Sequence, residues 1–110
     1  MSALQTFKAD FFRALAHPIR IRILEILGTG ERTVQELQQL LDLRQSIVSQ
    51  QLAVLRGKDV VTSRKLGTTV KYALSDPLIT RLLAVAREIF NNRLVGTQSL
   101  LKELRRERRR

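Results

Sequence analysis

The chain contains no cysteine and no tryptophan, and only one histidine, one tyrosine and two prolines. Without cysteine there is no disulfide framework, no thiolate metal ligand and no thiol redox switch. A single histidine, His17, is a poor start for a metal site that needs three or four donors. It stands directly before Pro18, where a cap or hydrogen-bonded turn role suits it better. Neither a metal site nor a cofactor is expected. No apolar run approaches the roughly 20 residues that cross a bilayer. The segment from Met1 to Asp10 is amphipathic and has no signal-peptide core. A cytoplasmic protein with no membrane partner is therefore expected. A Ser-His-Asp set and a phosphate-cradling glycine loop are also missing, so the sequence does not read as an enzyme. Its 110 residues suit one domain with one modest core.

Positive charge is what the chain has in excess: 20 basic residues against 10 acidic ones, a formal net charge of +10. Half of it lies between residues 44 and 71, where Arg44, Arg56, Lys58, Arg64, Lys65 and Lys71 face Asp59 alone. A second concentration runs from Lys102 to Arg110, where six basic residues outweigh Glu103 and Glu107. Charge placed this way implies a polyanionic partner, with nucleic acid first. A solvated, solubilising face is the plainer alternative.

Hydrophobic spacing predicts a helix over 4–16, with Leu4, Phe7, Phe11 and Leu15 on one stripe and Phe12 just off it. Ala16-His17-Pro18 breaks the pattern, and Pro18 suits the first position of a second helix that turns Ile19, Ile23, Ile26 and Leu27 inward. Arg20 and Arg22 fall on its more exposed positions, and Gly28-Thr29-Gly30 ends it with a glycine available for a left-handed cap. Thr33-Val34-Gln35-Glu36 matches a capping box, opening a helix through Leu37, Leu40 and Leu41. Asp42-Leu43 is a short turn, and another helix follows to about Gly57. Two short helices joined in this way make a helix-turn-helix. The alternation of Val70, Tyr72 and Leu74 with Lys71 and Ala73 predicts a strand, paired with one over 60–65 across a turn at Leu66-Gly67-Thr68. Asp76-Pro77 then starts a long closing helix carrying Leu78, Leu82, Leu83, Val85, Ile89 and Phe90, and its continuity past Asn91-Asn92 and Gly96 to Leu104 is left open by the sequence.

The helix beginning near Arg44 carries the functional signal. Ser46, Ser49 and Gln50 share one face with Gln45 beside them, while Val48, Leu52 and Leu55 line the other. An apolar back and a front of hydroxyls and amides suit a DNA major groove, where such groups pair with base edges and small residues let the backbone approach. Gln45, Ser46, Ser49 and Gln50 are the expected base-edge readers, with phosphate contact or plain exposure the alternative for the two serines. Ile47 can reach a thymine methyl. Arg44, Arg56, and on the hairpin Arg64, Lys65, Thr68 and Lys71 are expected to meet phosphates or the minor groove.

Ala14-Leu15-Ala16-His17-Pro18-Ile19-Arg20-Ile21-Arg22-Ile23-Leu24, then Arg44 through Leu55, then Val60-Val61, Arg64, Gly67 and Tyr72 occur in an order that resembles the ArsR/SmtB family of bacterial and archaeal repressors. The likeness covers roughly residues 10 to 90 and rests on the order and spacing of the motifs more than on any one of them. It implies a mainly α fold with a small β-hairpin wing, a winged helix-turn-helix in the order α-α-α-α-β-β-α. The expected organisation is a single DNA-binding domain over 1–110. Within it 4–16 and 77–104 are dimerisation helices, 33–57 the helix-turn-helix, 60–74 the wing and 105–110 a basic tail.

The resemblance also implies a homodimer through the first and last helices, with Leu4, Phe7, Phe11, Phe12, Leu15, Leu82, Val85, Ile89 and Phe90 at the interface. The number of these apolar residues agrees, although all of them could instead fill the core of one chain. Such a dimer would repress transcription sterically from an inverted-repeat operator in double-stranded DNA. Three features depart from the family pattern. Asp42 stands where glycine is common, and Arg44 where a serine N-cap is common; Asp42 could itself cap the next helix, with Gln45 three residues on. Thr33-Val34-Gln35-Glu36-Leu37 has no thiol, and the last helix offers Glu88 without a histidine, so the usual metal-sensing motifs are missing. The sequence names no effector, small molecule or protein. A sequence-indifferent, nucleoid-type DNA binder and a winged-helix protein-interaction module remain as alternatives.

Overall fold

A computed structural model describes residues 2–93 and 98–109. Four helices, α1 (Ala3–Leu15), α2 (Pro18–Leu27), α3 (Val34–Leu41) and α4 (Gln45–Gly57), precede a hairpin of β1 (Val61–Leu66) and β2 (Thr69–Leu74). Helices α5 (Leu78–Arg93) and α6 (Gln98–Arg109) close the chain. The closing helical region was expected over 77–104, with its continuity past Asn91-Asn92 and Gly96 left open. In the structure α5 ends at the weak helix formers Asn91 and Asn92 and at Arg93, and α6 takes in most of the tail at 105–110. Residues 94–97, within that span, and Arg110 of the tail lie outside the described residues.

Local chemistry sets the helix boundaries. His17 caps α2, its Nδ1 accepting the Ile19 N–H at 3.1 Å, with Pro18 in the first turn. Gly28 caps α2 in a right-handed conformation (φ −62°), so the expected left-handed cap is not used; the positive φ falls on Gly30 (144°) in the turn that follows. The capping box of α3 is complete: Glu36 donates its N–H to Thr33 Oγ1 (3.1 Å), and Thr33 donates its own to Glu36 Oε1 (2.9 Å). Asp42 takes a left-handed conformation (φ 55°, ψ 50°) that closes α3. It does not cap α4, which begins at Gln45 with Arg44 as N-cap and no side-chain cap hydrogen bond. The sequence had allowed an earlier start to α4; an N-cap residue takes extended dihedrals, which Arg44 has (φ −70°, ψ 148°) and Asp42 does not.

β1 and β2 pair antiparallel from Val61 opposite Leu74 to Leu66 opposite Thr69, with Gly67 left-handed in the turn (φ 64°). Arg32, between α2 and α3, adds a short third rung by exchanging both backbone hydrogen bonds with Tyr72 (3.0 and 2.8 Å). The loop ahead of the helix-turn-helix is thereby fastened to the wing.

Met1–Ile79 form one compact unit and Thr80–Arg110 a second. In the first, Ile23, Leu24, Leu37, Val48, Leu52, Leu55, Val60 and Val61 are fully buried. Helix α2 touches α1, α3, α4 and β2, so it is the central post of the unit. In the second, Arg87 on α5 pairs with Glu107 on α6 at 3.3 Å, and Leu101 and Leu104 are buried.

Arg20 is expected on an exposed position of α2 but is half-buried. It donates Nε–H to the Ala14 carbonyl (2.7 Å), Nη2–H to the Arg13 carbonyl (3.3 Å) and Nη1–H to Gln51 Oε1 (2.9 Å). The Arg13 carbonyl also accepts the Ala16 N–H (3.1 Å), so Arg20 adds to a cap already closed there, binds the Ala14 carbonyl beside it, and also holds α4. Arg20→Ala should cost about 2 kcal/mol of stability, because the charged donors are removed while their half-buried acceptors stay behind unpaired. Urea unfolding with an unchanged midpoint would contradict this.

Candidate nucleic-acid interface

On α4, at 100° per residue, Val48, Leu52 and Leu55 form the row that enters the core. Ser46 and Gln50, one turn apart, point away from it and are exposed. Gln45, Ser49 and Arg56 run down one flank, all exposed, and Ile47 is half-buried on the other. Five of the six polar and basic positions expected on this helix and its N-cap therefore lie on one open side of α4. The sixth, Arg44, is exposed at its N-cap. Among the described residues, none engages the side chains of Gln45, Ser46, Ser49 or Gln50. Gln51 is different, since Arg20 holds its carbonyl oxygen and it is not free to read a base.

The wing residues do not share one face. The pairing register puts Arg64 and Lys71 side by side on one face of the hairpin, with Lys65 on the other beside Val70. Thr68 is exposed in the turn. Arg64 is in a two-point ion pair with Glu31: Nε–H donates to Oε2 and Nη2–H to Oε1, both at 2.7 Å. Sequence reasoning missed Glu31 because 33 residues separate it from Arg64. It missed Gln51 for the same kind of reason, since Arg20 lies 31 residues away.

The Arg64 guanidinium holds the Glu31 carboxyl below its ordinary value, against a smaller opposing effect of lost hydration, with the charge of Lys71 adding to the lowering. Arg64 is raised in return by the same hydrogen bonds. Glu36 is lowered chiefly by the Thr33 backbone N–H it accepts, with Lys71 and Arg32 contributing at longer range. Among the described residues, no three histidine, aspartate or glutamate side chains lie together as a metal would require.

A family model described as "Bacterial regulatory protein, arsR family" matches residues 17–63. An uncharacterized HTH-type transcriptional regulator of Mycobacterium tuberculosis, Rv0081, is 45% identical over 103 residues, covering 93% of this chain and 90% of the relative. The chain belongs to the arsR family of bacterial regulatory proteins. The crystal structure of Rv0081 superposes on this ArsR-family regulator with a TM-score of 0.79 at 44% identity, covering 87% of this chain and 97% of that one. A biofilm growth-associated repressor of Agrobacterium fabrum is 37% identical over 90 residues, 82% of this chain and 77% of the relative. The solution structure of the homodimeric winged helix-turn-helix DNA-binding domain of Mb0332 from Mycobacterium bovis matches with a TM-score of 0.76 at 28% identity, covering 84% and 85% of the two chains. The winged helix-turn-helix expected from the sequence is the fold of this regulator.

The residues expected at a dimer contact divide by exposure. On α1, Leu4, Phe7 and Phe12 stand in solvent, Phe7 with 73% of its surface accessible, and Phe11 is half-buried. Leu15 is already buried beside Ala14 where α1 meets α2, which leaves it little surface to offer a partner. On α5, Val85, Ile89 and Phe90 are exposed and Leu82 is half-buried. Among the described residues, no helix is long and apolar enough to cross a membrane.

Folded-state lowering of a carboxyl gives stability that is present above the unfolded value and lost as pH falls through the folded one. Stability should therefore fall as pH drops below the ordinary glutamate value of 4.5. Glu36→Gln keeps the capping geometry but removes one titrating group, so it should flatten that acid limb. Urea midpoints measured across the range check this, and superimposable curves for the two proteins would refute it.

Proposed function

We propose that this regulator is a cytoplasmic, homodimeric repressor that binds an inverted-repeat operator through α4 and the wing and acts by occupancy rather than catalysis. The observation that carries the reading is the open side of α4. It presents uncharged hydrogen-bonding groups, backed by a fully buried apolar row that fixes their spacing. Gln45, Ser46, Ser49 and Gln50 read base edges; a glutamine can pair bidentately with adenine. Arg44, Arg56, Arg64, Lys65, Thr68 and Lys71 contact the backbone, which fixes register without reading sequence. The whole chain, 1–110, serves as one DNA-binding domain.

Homodimerisation is supported by the phenylalanines that α1 leaves in water, by the exposed apolar residues of α5, and by the homodimeric state of the M. bovis domain. Two-fold symmetry places the two recognition helices about one DNA turn apart, roughly 34 Å. The repressor assignment is supported by the A. fabrum relative, and steric exclusion of polymerase needs no further chemistry.

Binding of the purified protein to a duplex from its own upstream region and to a scrambled duplex, at two salt concentrations, tests this. The expected preference is about a thousandfold or more and survives added salt. Equal, steeply salt-dependent binding to both duplexes would favour an architectural binder. No binding at low salt would favour a protein-docking module. In the same assay, Gln50→Ala should cost about 1–3 kcal/mol on the preferred duplex and relax the choice at one base pair. Lys65→Gln should weaken both duplexes alike and lower the salt slope by about one. Phe7→Glu should shift the protein toward monomer in sedimentation; an unchanged dimer would exclude α1 from the interface.

A further inference from the structure

The ion pair between Glu31 and Arg64 sets an acidic residue among the wing cations that the DNA-binding reading assigns to phosphate. Its geometry is constrained from both sides. Arg32, the next residue, is fastened to Tyr72 by two backbone hydrogen bonds, and its side chain donates to the Glu31 carbonyl (2.8 Å) and the Thr29 hydroxyl (2.9 Å). The Glu31 carboxylate is therefore set by the sheet that Arg64 belongs to.

Arg64 spends two of its five N–H groups on that carboxylate, Nε–H and one on Nη2. The outer edge, with both Nη1 hydrogens and one on Nη2, is left over. The side chain is still 56% accessible. A planar guanidinium held along one edge keeps its other edge in a fixed direction, which is the geometry that two-point phosphate binding uses.

We infer that Glu31 is a positioning residue for DNA binding: it holds Arg64 so that the free guanidinium edge meets a backbone phosphate. This rests on the DNA-binding reading above. The inference is distinguishable from simple electrostatics by sign. Removing a carboxylate from a surface that faces a polyanion raises the net charge and, by charge alone, tightens binding. Removing a positioning group loosens it, because Arg64 must then be ordered at the moment of binding.

The test is a cycle of Glu31→Gln, Arg64→Gln and the double variant, titrated with the preferred and scrambled duplexes, with thermal unfolding followed in parallel. Glu31→Gln should weaken binding roughly two- to tenfold despite its added positive charge, and lower the salt slope by about one, as Arg64→Gln does. In the Arg64→Gln background, Glu31→Gln should no longer weaken binding, because only the charge effect remains. That reversal is a readout that a general loss of stability would not produce. Tighter binding by Glu31→Gln alone overturns the inference, as does equal weakening in both backgrounds. Wild-type protein that binds neither duplex removes its premise, and is told apart from the other failures by the wild-type titration itself.

Discussion

The Arg20 side chain joins three helices that no backbone ladder connects. It binds the Arg13 and Ala14 carbonyls at the end of α1, belongs to α2, and holds Gln51 on α4. Helices in a small unit pack through apolar contacts that resist separation but permit sliding. A charged donor with three fixed acceptors removes much of that freedom, because an off-register arrangement leaves half-buried polar groups unpaired. Gln51 lies on the flank of α4 away from Gln45, Ser49 and Arg56. The helix is thus gripped on one side and open on the other. A helix meant to enter a groove needs this asymmetry, since its reading groups must be fixed in place without being used up. The same side chain links α1, where the exposed phenylalanines stand, to the helix proposed to read DNA.

The elements that were legible in the sequence are those set by neighbours within a few residues. The Thr33–Glu36 capping box, the Pro18 start of α2, the strand alternation around Tyr72 and the turn at Gly67 each depend on four to six consecutive side chains, and each stands as expected. The open and buried sides of α4 were legible for the same reason, since helical spacing alone divides them. What was not legible depends on partners more than 30 residues apart. Arg20 looks like a surface arginine until α1 and α4 are brought to it, and Glu31 looks like a loop acid until the wing folds over it. The division of α5 from α6 was left open by the sequence, because a run of leucines and arginines at helical spacing also reads as continuous helix. Asparagines lower helix propensity only weakly, too little to mark an end by periodicity alone.

The wing shows why counting charges on a sequence overstates a cationic surface. Arg64, Lys65 and Lys71 look like one patch in the chain. The hairpin register sends Lys65 to one face and the other two to the opposite face, and Glu31 then offsets one of those. The net field of the wing is weaker than its composition suggests, but its geometry is better defined. Mobile lysines give affinity for any phosphate ladder and discriminate poorly between sequences. A guanidinium fixed along one edge contributes only when a phosphate lies where that edge points, which ties backbone contact to the register of the reading helix. On a chain carrying a formal net charge of +10, unspecific attraction is already plentiful. Under the proposed repressor reading, further loose charge would mainly strengthen binding to the wrong sites. A carboxylate placed among the cations then improves selectivity while subtracting from the very attraction that brings the protein to DNA.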